Sequence, residues 1–171
     1  MSLIDTIHLR PATAADIPLL RRWDKQPHIR QGVPPGTWHW EAEFSRDPPW
    51  RHNLIAMLRE RPIGFAQIIE PALEDSHYWG EVEPHLRAVD IWIGDPEQIG
   101  QGRGTAIMEQ VLARCFAPPE VTGVLLDPLA SNTRAHRFYE RLGFIRDDHR
   151  WFDGDECYVY RLTREDWAAS A

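Results

Sequence analysis

The 171-residue chain has few cysteines, no long apolar run and a minority of positive charges, and each shortage excludes a class of protein. The two cysteines, Cys115 and Cys157, lie in apolar segments without metal-ligand spacing, which predicts buried free thiols in a reducing compartment. No run approaches the roughly 20 apolar residues of a membrane span, and no basic stretch followed by an apolar one marks a secretory signal. We therefore expect a cytoplasmic protein without a membrane partner.

Positive charge is scarce relative to negative charge. The chain has 26 Asp and Glu against 19 Lys and Arg, a formal net charge of -7. A nucleic-acid-binding protein usually shows a basic face, so this balance argues against one. It suits a cationic small molecule as ligand, or solubility alone. The eight histidines form no paired motif such as His-Glu-x-x-His, and we predict no metal site.

Apolar periodicity divides the chain into strands and helices, and its 43% apolar and 26% charged residues are typical of a globular domain. The predicted order is strand, helix, irregular or helical region, three strands, helix, strand, helix and two strands. The segments are strand Ile7–Leu9, a helix from the Thr13–Asp16 capping box to about Lys25, an irregular stretch Pro27–Trp50 with a helix near Trp38–Ser45, strands Asn53–Leu58, Ile63–Ile69 and Ala88–Ile93, a helix around Ile107–Cys115, strand Val121–Leu126, a helix around Ala135–Leu142, strands Phe144–Trp151 and Cys157–Leu162, and a last helix capped by Thr163.

This order predicts an α/β fold, a single domain over residues 5–167 with a mixed, mostly antiparallel sheet flanked by helices. The step from Ala88–Ile93 through a helix to Val121–Leu126 predicts a parallel strand–helix–strand unit at its centre. The irregular stretch holds Trp38, Trp40 and Trp50. Long irregular segments are often binding loops, so these rings either wall a substrate pocket or pack as core.

A glycine-rich loop separates the fourth predicted strand from the following helix. Its sequence is Gly100-Gln101-Gly102-Arg103-Gly104-Thr105. Glycines let backbone N–H groups approach a ligand, and the helix N-terminus adds partial positive charge, so the loop predicts an anion site. It lacks the Gly-Lys-Ser/Thr ending of a nucleotide-hydrolysing P-loop and the acidic ribose partner of a dinucleotide fold. A plain tight turn is the alternative.

A second motif lies further along the chain. Asn132-Thr133-Arg134-Ala135 leads into Arg137-Phe138-Tyr139-Glu140-Arg141-Leu142-Gly143-Phe144. A Gln/Arg-x-x-Gly-x-Gly/Ala segment that opens a helix, followed by Asn-x-x-Ala-x-x-Phe-Tyr-x-x-x-Gly-Phe, resembles the GNAT superfamily of acyl-CoA N-acyltransferases. The resemblance covers Leu9 to Leu162. It departs from the pattern at Ile99, where a Gln or Arg is usual.

The resemblance implies an N-acetyltransferase with acetyl-CoA as co-substrate and no metal. Backbone N–H groups of the glycine-rich loop would hold the cofactor's pyrophosphate, while Ile91–Ile93 would pair with its pantetheine arm and Asn132 would contact that region. Tyr139 would protonate the departing thiolate, although core packing also explains a tyrosine on the apolar stripe of its helix. The implied cofactor-binding residues are Ile91, Trp92, Ile93, Ile99, Gly100, Gln101, Gly102, Arg103, Gly104, Thr105 and Asn132.

Asp90 interrupts an apolar strand, where aspartate is disfavoured. A carboxylate in such surroundings needs a partner or a function that uses its charge. At this position it could accept a proton from a substrate ammonium, directly or through water, since the amine must be neutral to attack a thioester. The alternatives are a structural aspartate bonded to backbone or one exposed at a sheet edge.

Within the superfamily, the chain most resembles the aminoglycoside 6′-N-acetyltransferases. That resemblance implies that Asp90 is the general base and that Asp127 and Gln67 contact the substrate. The acidic stretch through Glu83, with Trp79 inside it, would complement a polycation; a solvated loop is the alternative. The segments that carry the resemblance are Pro27-His28-Ile29, Ile55-Ala56-Met57-Leu58, Pro62-Ile63-Gly64-Phe65-Ala66-Gln67, Val89-Asp90, Gln98-Ile99-Gly100-Gln101-Gly102, and Asp127-Pro128 with Ser131-Asn132.

The main hypothesis is therefore acetyl transfer from acetyl-CoA to the 6′-amine of an aminoglycoside, an antibiotic-resistance activity, by a monomer or homodimer. A second hypothesis keeps the chemistry but takes a siderophore precursor, a lysine-like amine or a polyamine as acceptor. A third is a non-catalytic coenzyme A-binding module. The presence of both Asp90 and Tyr139 speaks against the third, because a degenerate site is free to lose either.

Overall fold

The computed structural model describes residues 6–34 and 36–170, so the predicted domain start at residue 5 lies outside the described residues. Seven strands in the described part form one mixed sheet in the order β1-β2-β3-β4-β5-β7-β6. The predicted α/β class is thereby confirmed. The strands are β1 Ile7–Pro11, β2 Arg51–Leu58, β3 Arg61–Ile69, β4 Leu86–Ile93, β5 Gly123–Leu126, β6 Ile145–Phe152 and β7 Asp155–Thr163.

The α-helices of the described residues follow the predicted order with one addition. They are α1 Ile17–Asp24, α2 Pro27–Arg30, α3 Trp40–Phe44, α4 Arg103–Phe116, α5 Thr133–Arg141 and α6 Arg164–Ser170. The short α2 lies in the stretch predicted as irregular; Pro27 presets the φ of its first turn and Ile29 is buried. None of the helices in residues 6–34 and 36–170 has the length and apolar character that crossing a bilayer requires.

The predicted parallel strand–helix–strand unit is present. Strands β4 and β5 pair in parallel, with Leu86 opposite Gly123 and Ala88 opposite Leu125, and α4 connects them. Asp90–Ile93 lie beyond this paired stretch of β4. Antiparallel pairs join β1 to β2, β5 to β7 and β6 to β7. The sheet is therefore mixed, with the parallel step in its middle, as predicted.

By its contacts the chain divides into two compact units. The first comprises Met1–Ile68 and Asp90–Val111. Gly94 allows a close approach within it, because a Cβ at this position would lie 1.9 Å from Cδ2 of Trp23. The core of the first unit joins α1, α2 and α3 to strands β2 and β3 through the buried residues Leu20, Trp23, Ile29, Trp40, Ile55, Met57 and Phe65.

The second unit comprises Ile69–Val89 and Leu112–Ala171. Its final hairpin, β6 with β7, closes over Asp153 and Gly154, whose positive φ values of 48° and 88° fit a two-residue type I′ turn. Helix α6 is capped as predicted, since the Asp166 amide donates to Oγ1 of Thr163 at 3.1 Å. A core cluster of this unit contains Trp79, Leu86, Ala88, Leu125, Phe152, Cys157 and Val159.

Candidate active site

Strands β3 and β4 are sheet neighbours, and their first-unit residues fix the register between them. The Gly94 amide donates to the Ile63 carbonyl oxygen at 2.9 Å, and a Cβ on Gly64 would lie 2.8 Å from the Trp92 carbonyl oxygen. Chain numbers therefore rise along β3 as they fall along β4, so the strands are antiparallel. Phe65 and Trp92 are the next cross-strand neighbours, with ring centroids 5.1 Å apart. Since side chains return to the same face every second residue, the next pair on this face is Gln67 with Asp90.

Gln67 connects Asp90 to further polar groups on the same face. Its Nε2 donates to Oδ1 of Asn53 on β2 at 2.8 Å and to Oε1 of Glu43 on α3 at 2.7 Å. An amide nitrogen has two hydrogens, so both are used. The predicted substrate contact of Gln67 is therefore left to its carbonyl oxygen. Asn53, Gln67 and Asp90 form a row of polar side chains across three adjacent strands.

Glu43 collects several donors through one oxygen. Besides the Gln67 amide, the Arg51 Nε lies 3.1 Å from Glu43 Oε1 in an ion pair, and Asn53 Nδ2 lies 3.4 Å from the same oxygen. Arg51 also donates to the Glu43 backbone carbonyl at 2.7 Å. The sequence analysis missed Glu43, Arg51 and Asn53. Asn53 carried a usable signal, because asparagine is depleted in strands, whereas a glutamate on a short helix carries none.

Asp90 is open to solvent, which agrees with the exposed alternative rather than with a buried structural aspartate. Protein nevertheless surrounds it closely enough that desolvation raises the pKa of its carboxyl, and the like charge of Glu43 raises it further, to about 6. Both facts fit a recessed carboxylate that a substrate can reach. Such a group takes up a proton more readily than an ordinary aspartate, and this suits a general base near neutral pH.

Aromatic rings continue the face beside the polar row. Trp38 stacks on Trp40 with centroids 4.7 Å apart, and both meet the Phe65 ring edge-on at 5.4 Å. Trp40 is buried core, whereas Trp38 is half-buried. Core packing therefore holds for Trp40, one of the loop tryptophans whose role the sequence left open. The ring of Trp92, a predicted cofactor-binding residue, packs on the same cluster, so cofactor contact there would use its backbone.

The predicted anion loop is shorter than its sequence suggested. Helix α4 begins at Arg103, so Gly104 and Thr105 belong to its first turn, and the loop proper ends at Gly102. Gly100 and Gly102 have φ values of 76° and 74°, a left-handed conformation that glycine adopts without penalty. An added Cβ at either would meet no atom within 4 Å, so conformation rather than crowding requires glycine. Ile99, which stands where the family usually has Gln or Arg, is half-buried.

Polar side-chain contacts hold this loop and the residues just before it in place. Arg61 on β3 bridges Asp95 at 2.6 Å and Glu97 at 3.0 Å. The side-chain amide of Gln101 donates to the Glu97 backbone carbonyl at 2.6 Å. The Arg103 guanidinium donates to Oε1 of Gln98 at 3.3 Å. The side chains of Gln101 and Arg103 thus brace the loop, so an anion bound at the predicted site would meet the loop's backbone N–H groups.

The backbone of Ile91–Ile93, predicted to pair with the pantetheine arm, has one engaged group. His28 Nε2 donates to the Ile93 carbonyl oxygen at 2.8 Å. Since a carbonyl oxygen only accepts, Nε2 carries the hydrogen of this bond. The predicted pairing with the cofactor would therefore use the other backbone groups of Ile91–Ile93.

In the second unit, α5 carries two of the predicted residues. Asn132 caps the helix, because its Oδ1 accepts from the Ala135 amide at 3.2 Å. This is a structural role beside the implied cofactor contact. Tyr139 is 8% exposed, and its ring packs near Phe144 and Tyr160. Core packing accounts for the ring, and the acid role of its hydroxyl stays a prediction.

The remaining predicted substrate contacts are tied into the second unit. Asp127 accepts from the Tyr78 hydroxyl at 2.6 Å, Glu83 pairs with Arg161 at 2.8 Å, and Trp79 is 4% exposed. A cavity of about 140 Å³ borders Trp79 and Glu83. Small-molecule sites usually measure about 300 Å³ or more, so this cavity alone does not hold a drug-sized ligand.

Three features together indicate an acyl-CoA N-acyltransferase. They are the central parallel unit, the left-handed glycine loop at a helix start, and an accessible carboxylate with a raised pKa on β4. A family model described as an acetyltransferase (GNAT) domain matches residues 12–152, and the chain belongs to this family. The predicted resemblance and the predicted enzyme class, an acetyl-CoA-dependent N-acetyltransferase, are thereby confirmed. The matched residues extend over parts of both units.

Curated relatives agree with this assignment. The chain is 32% identical over 158 residues to the aminoglycoside N(6′)-acetyltransferase type 1 of Klebsiella pneumoniae, covering 83% of this chain and 75% of that protein. It is 39% identical over 75 residues to a kanamycin resistance protein of Rhizobium radiobacter, covering 43% of this chain and 69% of the relative.

Solved structures agree as well. The structure of AAC(6′)-Ib with paromomycin and acetyl-CoA superposes with a TM-score of 0.84 at 28% identity, covering 96% of this chain and 97% of that one. AAC(6′)-Ib with coenzyme A and kanamycin gives the same TM-score at 27% identity, with 96% and 99% covered. The chain therefore resembles enzymes whose structures hold both a coenzyme A molecule and an aminoglycoside.

Proposed function

We propose that this enzyme transfers the acetyl group of acetyl-CoA to the 6′-amine of an aminoglycoside, an activity of the antibiotic-resistance type. The observation that carries the proposal is Asp90, an accessible carboxylate with a pKa raised to about 6 on the strand where the family has its general base. The names of the relatives, aminoglycoside N(6′)-acetyltransferase and kanamycin resistance protein, support the choice of acceptor.

Asp90 acts as the base in this proposal. It takes a proton from the substrate ammonium, and the neutral amine then attacks the acetyl carbonyl carbon, which forms the new C–N bond. The C–S bond of the thioester breaks as the tetrahedral intermediate collapses. Backbone N–H groups of Ile91–Ile93 polarise the carbonyl oxygen, and Tyr139 supplies the proton for the departing sulfur.

The cofactor is held mainly by backbone in this proposal. The N–H groups of Gly100–Gly102 and of the first turn of α4 bind the pyrophosphate, where the helix dipole favours negative charge. Asn132 contacts the pantetheine region. For the acceptor, Gln67 offers its carbonyl oxygen, and Asp127 and Glu83 offer negative charge to a polycation. Trp79 contributes chiefly by holding its loop in place.

Location and assembly belong to the same proposal. One acetyltransferase domain spans residues 5–167 and works as a monomer or homodimer. Two free and buried cysteines suit the reducing cytoplasm, where acetyl-CoA is also available.

The test is free-thiol release from acetyl-CoA by the wild type and by Asp90→Asn. The acceptors are aminoglycosides with a 6′-amine, aminoglycosides with a 6′-hydroxyl, polyamines and lysine-like hydroxylamines. We expect release only with the 6′-amines, and at least a hundredfold lower kcat for Asp90→Asn with little change in acetyl-CoA affinity.

Each other outcome points to a different function. Turnover confined to polyamines or hydroxylamines would replace the aminoglycoside by one of those acceptors. Binding of acetyl-CoA without thiol release with any amine would indicate a non-catalytic coenzyme A-binding module. Equal turnover by wild type and Asp90→Asn would remove Asp90 from the role of base.

A further inference from the structure

Glu43 has no part in the roles proposed above, yet three neighbouring side chains contact its carboxylate. It lies on α3, and its side chain is 19% exposed. Donors from two strands end on its Oε1: the Gln67 amide at 2.7 Å, the Arg51 Nε at 3.1 Å and the Asn53 amide at 3.4 Å. The pairing with Arg51 adds a charge-assisted contact to the same oxygen. Because these donors share one oxygen, Oε2 stays outside this set of bonds.

The sheet register brings this anchored charge close to Asp90. Gln67, which donates to Glu43, is the cross-strand neighbour of Asp90 on the same face, and opposite residues of neighbouring strands have Cβ atoms about 4.5–5.5 Å apart. No hydrogen bond or ion pair reaches the Asp90 side chain within the part of the chain that the structure describes. The two carboxylates therefore belong to one polar patch. In it Glu43 pairs with Arg51, whereas Asp90 has no ion-pair partner among the described residues.

Three neighbouring elements contribute polar side chains to the patch around Asp90. Strand β3 contributes the neutral Gln67, α3 contributes Glu43, and β2 contributes Arg51, which is bonded to Glu43. Glu43 is the charged group that acts on the pKa of Asp90, and the direction is upward because like charges oppose ionisation. A cation that entered the patch would find both carboxylates and would relieve this repulsion.

We infer that Glu43 is a positioning residue for acetyl transfer: fixed by Arg51 and Gln67, its carboxylate draws the acceptor ammonium to Asp90 and sustains proton transfer to that residue. The inference rests on the proposed function, since it requires Asp90 as base. It adds the reason why an acceptor that is a strong base can be deprotonated by an aspartate. The protons balance: the ammonium gives one proton to Asp90, and the attacking nitrogen loses a second when the C–N bond forms. That second proton makes good the one that Tyr139 gives to the sulfur as the C–S bond breaks, so coenzyme A leaves as a thiol.

The inference selects the acceptor by charge. A primary ammonium fits a patch with one uncompensated carboxylate and a second whose charge is shared with Arg51. A neutral hydroxyl at the same place does not reduce the electrostatic repulsion between the two carboxylates. An amine is thus favoured over a hydroxyl in binding, before any difference in nucleophilicity.

The experiment compares Glu43→Gln with wild type across pH 5 to 9, using an aminoglycoside with a 6′-amine. Glutamine keeps an oxygen for the Gln67, Asn53 and Arg51 donors but removes the charge. We expect the acid limb of kcat/KM, which reports the base of the free enzyme, to move down by roughly one pH unit, because Asp90 loses its like-charged neighbour. The KM for the aminoglycoside should rise about tenfold, while the KM for acetyl-CoA stays the same.

Glu41→Gln is the matched control, since Glu41 lies on the same helix, is exposed and pairs with Arg21. It changes the net charge equally and should leave both the acid limb and the KM unchanged. Glu43→Asp keeps the charge on a shorter arm and should restore the position of the acid limb. An unmoved acid limb in Glu43→Gln, or an equal shift in Glu41→Gln, would overturn the inference.

Two further outcomes are kept apart by the design. If Glu43→Gln does not fold, as judged by thermal unfolding and acetyl-CoA binding, Glu43→Met decides, because it removes the charge and keeps an unbranched side chain. An acid limb displaced downward then supports the inference, and a wild-type limb counts against it. If the wild type turns over no aminoglycoside, the proposed function fails instead. The pH titration of Asp90, followed by NMR in wild type and Glu43→Gln, then still measures the effect of Glu43.

Discussion

At the scale of single residues, Asp90 combines an accessible carboxylate with surroundings that disfavour its charge. Its pKa of about 6 means that the folded protein binds a proton here more tightly than the unfolded chain does, whose aspartates titrate near about 3.9. Ionised Asp90 therefore lowers the free energy of unfolding. The penalty is absent below about pH 4, grows between about pH 4 and 6, and is complete above about pH 6.

Replacement of Asp90 by asparagine should consequently stabilise the protein while it impairs the reaction. We expect Asp90→Asn to raise the free energy of unfolding at pH 7.5 by about 1 kcal/mol, a value reduced for solvent screening because the side chain is exposed. The gain should disappear as the pH falls towards 4. Thermal unfolding of both proteins at pH 4, 5, 6 and 7.5 measures it.

Asp148 provides a control of opposite sign. Its pKa is lowered, chiefly by the hydrogen bond from Arg150, so its ionised form favours the folded state at neutral pH. Asp148→Asn should therefore give no gain at pH 7.5. A gain for Asp90→Asn that is the same at every pH would show that its cause is not the carboxylate charge.

The sequence identifies Asp90 because an aspartate within an apolar strand contradicts strand preference. It identifies Glu43 by no comparable conflict. Glutamate on a helix is ordinary, and only the packing of α3 over β2 and β3 gives it Arg51, Asn53 and Gln67 as partners. A local pattern thus reveals residues that break a rule, while residues that follow every local rule acquire their role from the tertiary structure.

At the scale of secondary-structure elements, the turn from β4 into α4 is predicted with the right residues and a displaced boundary. The glycines correctly predict a loop. Arg103 and Thr105, however, are compatible with a helix, and α4 includes both of them. Helix α2 is a similar case, because four residues are too few for a periodic apolar pattern. The long strands and α5, whose patterns span several turns or alternations, are predicted within a few residues of their observed bounds.

Gly102→Ala tests the loop as an anion site. Alanine at a φ of 74° costs roughly 1 kcal/mol or displaces the backbone, although its Cβ has free space. We expect the KM for acetyl-CoA to rise about tenfold or more, because the loop's N–H groups no longer converge on the pyrophosphate. The KM for the amine should hardly change. Steady-state kinetics with either substrate varied separates the two effects.

Gly154→Ala is the matched control, since Gly154 has a φ of 88° in the β6–β7 turn and equally free space around it. It should lower stability by a similar amount and leave the KM for acetyl-CoA unchanged. If both variants raise that KM equally, the effect of Gly102→Ala comes from general destabilisation and the loop is a plain turn.

At the scale of the whole molecule, the net charge of -7 sets the long-range interaction with both substrates. A polycationic acceptor is attracted from a distance, whereas anionic acetyl-CoA must be bound by local backbone groups against the overall field. This division agrees with the proposed roles, in which the loop binds the cofactor through N–H dipoles and acidic residues bind the acceptor. Net charge alone cannot specify the acceptor, since spermidine-like amines are attracted in the same way, and that part of the function depends on the shape of the site.

Ionic strength should therefore affect the two substrates in opposite ways. Raising it from about 20 mM to about 200 mM shortens the Debye length from roughly 20 Å to roughly 7 Å, which removes most of the long-range attraction. We expect the KM for the aminoglycoside to rise at least threefold with kcat unchanged, and the KM for acetyl-CoA to stay level or fall. Kinetics in sodium chloride and potassium chloride distinguish screening from a specific ion effect. A KM for the aminoglycoside that is independent of salt would mean that only short-range contacts recognise it, so that the acidic surface serves solubility rather than substrate capture.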